Sequence, residues 1–432
     1  MKTTKSITSV GLIALSMHCS GWAEQAMTST EQAFYDTVMQ AAPPIPADLS
    51  HHSISCEQQT KNSSASNGHY LRADEVGYHL GGWEKRIAHD WQYFQSSAGA
   101  GKITLIDSQL SDKGVGYRYL ANDNTQDDLY EPWSSSKVMV FTAALTKAHQ
   151  AGLASPSLAG SVPLADLITS INSYAPFGKA DGNSNAIASY FFNVAGRDYA
   201  TSLLHQGWLN LSNDKVALRG AYDVTLYQPE PDLWFGPTHP DGLHLKTYAK
   251  NSDDPGYRPY RCDDCGLTGN KPLTTLAQAE WIKRVAEIER DSSTAMPGLT
   301  TADVRLLFYG DGHSDKEHQV GGMMQGISIM LHRAIAAAID NTSDDTKAVL
   351  DKATQGQWRV FQKIGWGPSE TRGTGELVVL SQVCLPHYQG GRSFTLAAQT
   401  SAPEPEEASV ARAGLKMQTL LNGAMQQLLK NN

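Results

Sequence analysis

The stretch Glu131-Pro132-Trp133-Ser134-Ser135-Ser136-Lys137-Val138-Met139-Val140 sets a serine hydroxyl three residues before a lysine. An apolar run follows, continuing through Phe141, Ala143, Ala144 and Leu145, and predicts a helix about to be buried. Positions i and i+3 share one helix face, so Ser134 and Lys137 can meet. A serine alone is a weak nucleophile at neutral pH, and a lysine amine held in a dry site can accept its proton. This is the chemistry of the S-x-x-K spacing. The spacing also occurs at Ser212-Asn213-Asp214-Lys215, in a polar run that reads as a solvated turn. Serines are common at helix starts for capping reasons alone. The rest of the chain has to decide between the two readings.

The chain has 432 residues, enough for one large domain or two ordinary ones. Apolar residues make up 41% and charged residues 18%, a globular balance. The net charge is −9 without a dense basic run, which argues against a nucleic-acid partner. Lys2 and Lys5, the apolar Val10 to Met17 and the small-residue end Ser20-Gly21-Trp22-Ala23 read as an export signal spanning residues 1–23. A periplasmic or secreted protein is therefore expected. The apolar stretch is too short to span a bilayer and no other long one follows, so no membrane span is expected, and a monomer is. Export permits disulfides. The remaining cysteines, Cys56, Cys262, Cys265 and Cys384, allow three pairings among which sequence does not choose. Cys262-Asp263-Asp264-Cys265 could be half of a metal site. No second C-x-x-C follows, and the nearest upstream histidine is His244, so disulfide use is expected rather than a metal or cofactor.

Residues 24–80 are mixed and polar and read as an extension wrapped on a main body at 81–432. A helix is predicted from about Trp83 to Ser97. Lys102 to Asp107 and Gly116 to Leu120 read as neighbouring strands. Helices follow at Leu164 to Ser173, Ile187 to Val194 and Tyr199 to His205. The stretch of about 237–271, rich in Pro, Gly, Asp and Asn, reads as a long insertion. Ala277, Trp281, Ile282, Val285 and Ile288 are spaced for one buried helix face, and Gly321 to Ala338 includes another apolar helix. The period then changes. Trp358 to Lys363, Glu376 to Ser381 and Arg392 to Ala398 are strand candidates in close succession, which favours an antiparallel meander. A helix from Ala408 to Leu429 ends the pattern. Strands near both ends with helices between predict an α+β body in which terminal segments share one sheet.

Three further short motifs follow the serine helix. Ser184-Asn185-Ala186 opens a predicted helix, Glu230-Pro231-Asp232-Leu233 lies in a loop, and Lys363-Ile364-Gly365 ends a strand. The order Ser-x-x-Lys, Ser-x-x, Glu-Pro-x-Leu, Lys-x-Gly resembles the penicillin-binding/serine β-lactamase superfamily, closest to its class A enzymes. The flanks agree. Gly116 to Leu120 followed by Tyr130 to Ser134 resembles the strand leading to that family's nucleophile. Ser184 to Tyr190, running on to Gly196-Arg197-Asp198, resembles its S-D-N helix. Lys363 to Gly365, with Leu377 to Leu380 after it, resembles its K-T-G strand. The resemblance covers about residues 84–430 outside the insertion and implies a β-lactamase-like fold.

It also implies roles. Ser134 would be acylated, with Lys137 its proton acceptor and Ser184 a relay to the leaving group. Lys363 would lend positive charge and bind a substrate carboxylate. The backbone N–H groups of Ser134 and Trp366 would form an oxyanion hole beside Ile364 and Gly365. Glu230 would activate water for deacylation; whether the lysine or the glutamate is the acylation base stays open. The implied substrate is a β-lactam, a D-alanyl peptide or ester, or another small or peptidoglycan-derived molecule. Three departures matter. Ala186 stands where the family carries asparagine, although Ser170-Ile171-Asn172 offers another S-x-N. Ile364 replaces the hydroxyl residue of K-T-G. Trp234 replaces the asparagine expected after Glu-Pro-x-Leu. The alternative reading is a non-catalytic periplasmic binding or scaffold protein on the same fold.

Overall fold

Period-two alternation in the strands decides the layering of the molecule. The structure is a computed structural model and describes residues 26–48, 54–56, 69–94, 101–261, 269–315 and 321–430. Five long strands carry it: β1 (Lys102–Ser111), β2 (Gly114–Ala121), β3 (Arg359–Ser369), β4 (Thr374–Leu385) and β5 (Arg392–Pro403). They lie in the order β2-β1-β5-β4-β3, all antiparallel. β1 pairs with β5, Ser108 facing Ser393 and Lys102 facing Gln399, so strands from the two ends of the fold share one sheet, as expected. Two short pieces, Leu71–Arg72 and His89–Asp90, pair with β2.

Successive side chains of a strand point to opposite faces. Leu105, Val379, Leu396 and Ala398 enter one core, and Ile106, Leu380 and Ala397 enter the other. Each core is covered by helices. α1 (Lys137–Gln150), α2 (Leu164–Ser173), α3 (Ser184–Ala195) and α4 (Thr275–Ala286) cover one face. α5 (Met330–Ile339) and α6 (Glu407–Lys430) cover the other. α6 shows why: Val410, Ala413, Met417, Leu420, Leu421, Ala424, Met425 and Leu428 are buried at three- and four-residue spacing, one continuous stripe. α1 is buried almost all round, which suits a helix enclosed by others, and Thr142 on it accepts the Trp281 indole N–H at 3.1 Å.

One expected helix differs. Where a helix is expected from Trp83 to Ser97, the described residues, which run to Phe94, hold one 3-10 turn, Trp83–Lys85, and then the short strand at His89. Side chains explain it. The Trp83 indole donates to the Leu209 carbonyl, and Arg86 donates to the carbonyls of Val76, Gly77, Leu80 and Gly81. Tyr119 N–H meanwhile takes the Ala88 carbonyl, which a helix would have needed. The apolar helix expected within Gly321 to Ala338 is α5, which begins at Met330; before it, Ser328 and Ile329 donate backbone N–H groups to Ala41 and Val38. The segment 237–271 is not uniformly loop. Trp234–Gly236 and His239–Leu243 form a hairpin, and the buried Arg197 guanidinium holds Asn251, Asp254 and the Gly220 carbonyl.

Under β2 lies a fully buried charged group. Glu280 accepts from Tyr119 at 2.7 Å, Lys283 at 2.9 Å and Arg284 at 2.6 Å. Burial pushes the Glu280 carboxyl up, but the two cations and the phenol outweigh it and hold it below its ordinary value. Removing one member of such a group strands the others, at about 3–5 kcal/mol. Glu280→Ala should therefore lower unfolding free energy by about that amount in urea titrations, whereas loss of an exposed pair such as Arg305–Asp311 should cost under ~1 kcal/mol.

Candidate active site

The three consecutive serines do not share a fate. Trp133–Ser136 form a single 3-10 turn that feeds α1. Ser135 donates its hydroxyl to the Pro132 carbonyl and accepts from Gln278 at 2.9 Å. Ser136 donates to the Trp133 carbonyl at 2.9 Å and meets the Tyr222 hydroxyl at 2.8 Å. The Ser134 hydroxyl has no hydrogen-bond partner among the described residues. It faces a cleft of about 860 Å³ that is also lined by Trp133, Tyr174, Asn185, Tyr222, Lys271 and Trp366.

The turn is held in a conformation its residues would not choose. Trp133 sits at φ +50°, which costs an aromatic residue about 1–2 kcal/mol. Two features compensate. Its indole donates to Glu376 at 2.8 Å, and Glu376 is itself fixed by Arg372 at 2.6 Å. Its ring lies over Gly367, where a Cβ would stand 2.5 Å from the ring edge. Gly365 is needed for the same reason. A Cβ there would fall inside contact distance of the Ser134 amide nitrogen and 2.7 Å from that of Ser135. The β3 backbone thus presses against the turn at the nucleophile candidate.

Lys137 is the first residue of α1 and 1% exposed. Its Nζ donates to Ser184 Oγ at 2.8 Å and to Asn185 Oδ1 at 2.6 Å. The rings of Tyr174 and Tyr222 flank it at 5.1 and 5.2 Å. Cation–π contact favours the charged amine by about 0.5–2 kcal/mol. Desolvation of an ammonium costs several kcal/mol, so it prevails. Burial, reinforced by the charges of Lys363 and Lys271, accordingly holds the Lys137 amine well below its ordinary pKa, against the pull of Asp223. A neutral amine has two N–H bonds and one lone pair. Ser184 and Asn185 use the two bonds, and the lone pair is left to accept.

Asn183 caps α3 by accepting from Ala186 N–H at 3.2 Å, which turns Ser184 and Asn185 toward Lys137. Ala186 offers no polar side chain, but the neighbouring Asn185 accepts from the amine through its side-chain carbonyl. Ser170 and Asn172, the other S-x-N, are buried within α2 and do not line the cleft. Lys363 is fully buried; its Nζ donates to Tyr174 OH at 3.2 Å and to the Ile364 carbonyl at 3.1 Å. Ser134, Lys137, Ser184, Lys363, Gly365 and Trp366 are thus gathered at one place.

Ile364 and Glu230 are not. Ile364 points from the opposite face of β3 into the core under α6, as strand alternation requires. Glu230 is exposed and does not line the cleft; its backbone carbonyl is bound to Ser161 N–H. The carboxylate whose charge reaches Lys137 is Asp223. Ser189 Oγ accepts from the N–H groups of Tyr222 at 3.0 Å and Asp223 at 2.9 Å, and Asn251 donates to the Asp223 carbonyl at 2.8 Å. Sequence reasoning missed Asp223, Tyr174, Tyr222 and Lys271, none of which stands in a recognisable motif. Asn185 was in view, between Ser184 and Ala186.

Lys271 lines the cleft, as does Arg261, and is paired to the buried Glu131 at 3.0 Å. Burial raises the Glu131 carboxyl and Lys271 opposes it. Cys56 and Cys384 form a disulfide with Cα atoms 5.3 Å apart. Cys262 and Cys265 lie outside the described residues, as does the expected export signal. Among the described residues no group of three or more His, Cys, Asp or Glu could hold a metal ion, and no helix is long and apolar enough to cross a membrane.

No protein-family model matches this chain, and no curated protein matches it. Among solved structures it is similar to a mutant of PBP-A in acyl-enzyme complex with penicillin G, with 12% identity, 75% of this chain and 89% of that one covered, and a TM-score of 0.35. It is also similar to a doubly substituted class A β-lactamase of the last common ancestor of Gram-negative bacteria, bound to a nitrobenzotriazole described as a transition-state analogue. The identity there is 13%, the coverage 76% and 94%, and the TM-score 0.31.

The tight approach at Gly365 is directly testable. Gly365→Ala should cost about 1–3 kcal/mol of stability, because backbone atoms of the serine turn must move. Gly81→Ala, with nothing within 4 Å, should stay within about 0.5 kcal/mol in the same denaturant titration.

Proposed function

We propose that this chain is an exported serine hydrolase that forms an acyl-enzyme at Ser134, on a β-lactam or on a D-alanyl peptide or ester. One observation carries the reading. A dry lysine amine, driven toward its neutral form and with two donors already used, stands one turn beyond the one serine of three whose hydroxyl is uncommitted. In this reading Lys137 takes the Ser134 proton as Oγ attacks a carbonyl carbon. The amides of Ser134 and Trp366 receive the oxyanion. Lys363 supplies positive charge from beneath. The order of the four motifs along the chain supports the same assignment. The Cys56–Cys384 disulfide supports an oxidising compartment outside the cytosol.

Glu230 is exposed and off the cleft, so this reading gives it no part in deacylation. Asp223 acts on Lys137 through its charge, but it does not line the cleft either, and its carboxylate accepts from Thr225 N–H at 2.9 Å.

A second reading, a binding protein without catalysis, is favoured by one feature. Lys137 donates to Ser184 and Asn185, and no hydrogen bond joins it to Ser134. Intact-mass spectrometry after exposure to a penicillin or a fluorophosphonate separates the two. The hydrolase reading expects one covalent adduct in the wild type and none in Ser134→Ala. No adduct with any probe, or an adduct unchanged by Ser134→Ala, would sink it.

The electrostatics give signs as well. A base works only when unprotonated, so the acylation rate should rise with pH through the folded pKa of Lys137, well below the 10.5 of a free lysine. Asp223 raises that pKa and Lys271 lowers it. Asp223→Asn should therefore shift the rising limb to lower pH and Lys271→Gln to higher pH, while Glu230→Gln leaves it in place. Stopped-flow acylation across a pH series reads all three.

A further inference from the structure

The hydroxyl that motif order assigns to the relay is already spent. Ser184 Oγ accepts from Lys137, and its single proton goes to the Ile171 carbonyl at 2.6 Å. Ser184 is 4% exposed and does not line the cleft. A substrate's leaving group therefore meets no free proton there.

Another hydroxyl meets the requirements. Tyr174 ends α2 in the left-handed region, at φ +55° and ψ +28°, a strained choice for an aromatic residue. That turn carries its side chain into the cleft shared with Ser134, where it is 42% exposed. Its hydroxyl accepts from Lys363 at 3.2 Å. Its ring centroid is 4.8 Å from Lys363 Nζ and 5.1 Å from Lys137 Nζ, so it stands between the two amines. The phenol proton has no acceptor among the described residues.

We propose that Tyr174, and not Ser184, is the catalytic acid that protonates the leaving group when Ser134 is acylated; this rests on the acyl-enzyme reading above. Ser134 Oγ bonds to the carbonyl carbon and its proton passes to the Lys137 amine. The bond from that carbon to the leaving nitrogen or oxygen then breaks, and the departing atom takes the phenol proton. The phenolate is stabilised by the adjacent Lys363 ammonium. It regains a proton from water in the open cleft, and Lys137 returns its own to water, so both groups are restored and no charge accumulates. The burial of Lys363 beneath the tyrosine then has a purpose other than gripping a substrate carboxylate.

Tyr174→Phe tests this, because the ring stays against both amines and only the hydroxyl goes. Single-turnover acylation is measured with a penicillin, whose amine leaving group needs a proton, and with a p-nitrophenyl ester, whose leaving group does not. The penicillin rate should fall about 100-fold and the ester rate should hardly change. Equal loss on both probes, or no loss on either, overturns the assignment. So does a leaving-group-dependent loss in Ser184→Ala that Tyr174→Phe lacks. If the wild type is acylated by both probes and Tyr174→Phe matches it, only the tyrosine's role fails. If the wild type is acylated by neither, the Ser134 reading fails and takes this one with it.

Discussion

Keeping one amine dry is the constraint on which this site depends. A lysine wants water, and removing it costs several kcal/mol unless the amine gives up its charge. Burial and the nearby cations produce that outcome, against the cation–π pull of the two tyrosine rings and the charge of Asp223. Helix α1 puts it inside the molecule. Tyr174 and Tyr222 close over it, and Lys363 and Lys271 add repulsion. Ser184 and Asn185 accept its two hydrogens, so the neutral amine leaves no donor unpaired. The same residues that would be costly around a buried ammonium become suitable around a base.

The larger architecture serves that arrangement. β3 is an edge strand of the sheet, and its backbone can therefore press on the serine turn from the side. Glycines at 365 and 367 make the approach possible, and the strained Trp133 is locked by Glu376 and Arg372. The helical layer supplies Lys137, Ser184, Asn185 and Tyr174, and the sheet supplies Lys363 and Trp366. The cleft lies on the seam between the layers. Its outer edge is tied down, too. Arg261 and Tyr260 reach across to Glu370, Ser369 and Thr371 at the turn between β3 and β4.

Much of this was legible in the sequence because it is periodic. Alternation in β1, β4 and β5 and the three-to-four spacing in α6 predict both layers. The serine motif and Lys363-Ile364-Gly365 predict the place where they meet. What escaped was set by side chains far away in sequence. The Trp83 helix gave way to the grip of Arg86 on four carbonyls, a tertiary override that local propensity does not reveal. Glu230 attracted notice through its proline, yet the carboxylate whose charge reaches Lys137 is Asp223, and nothing beside it spells a motif. Tyr174 reaches the cleft only because α2 ends in a left-handed residue, which no composition rule marks. Ile364 shows the converse: adjacency to Lys363 in sequence means the opposite face of the strand.

Titration of the Lys137 side chain itself is the most direct test of the account. With the lysine ε-carbons isotopically labelled and Lys137→Arg used to assign the signal, NMR reads its protonation across pH. The account requires the signal to titrate well below 10.5, the value of an ordinary lysine. A Lys137 that titrates at that ordinary value would be a charged structural residue, and Ser134 would have no base.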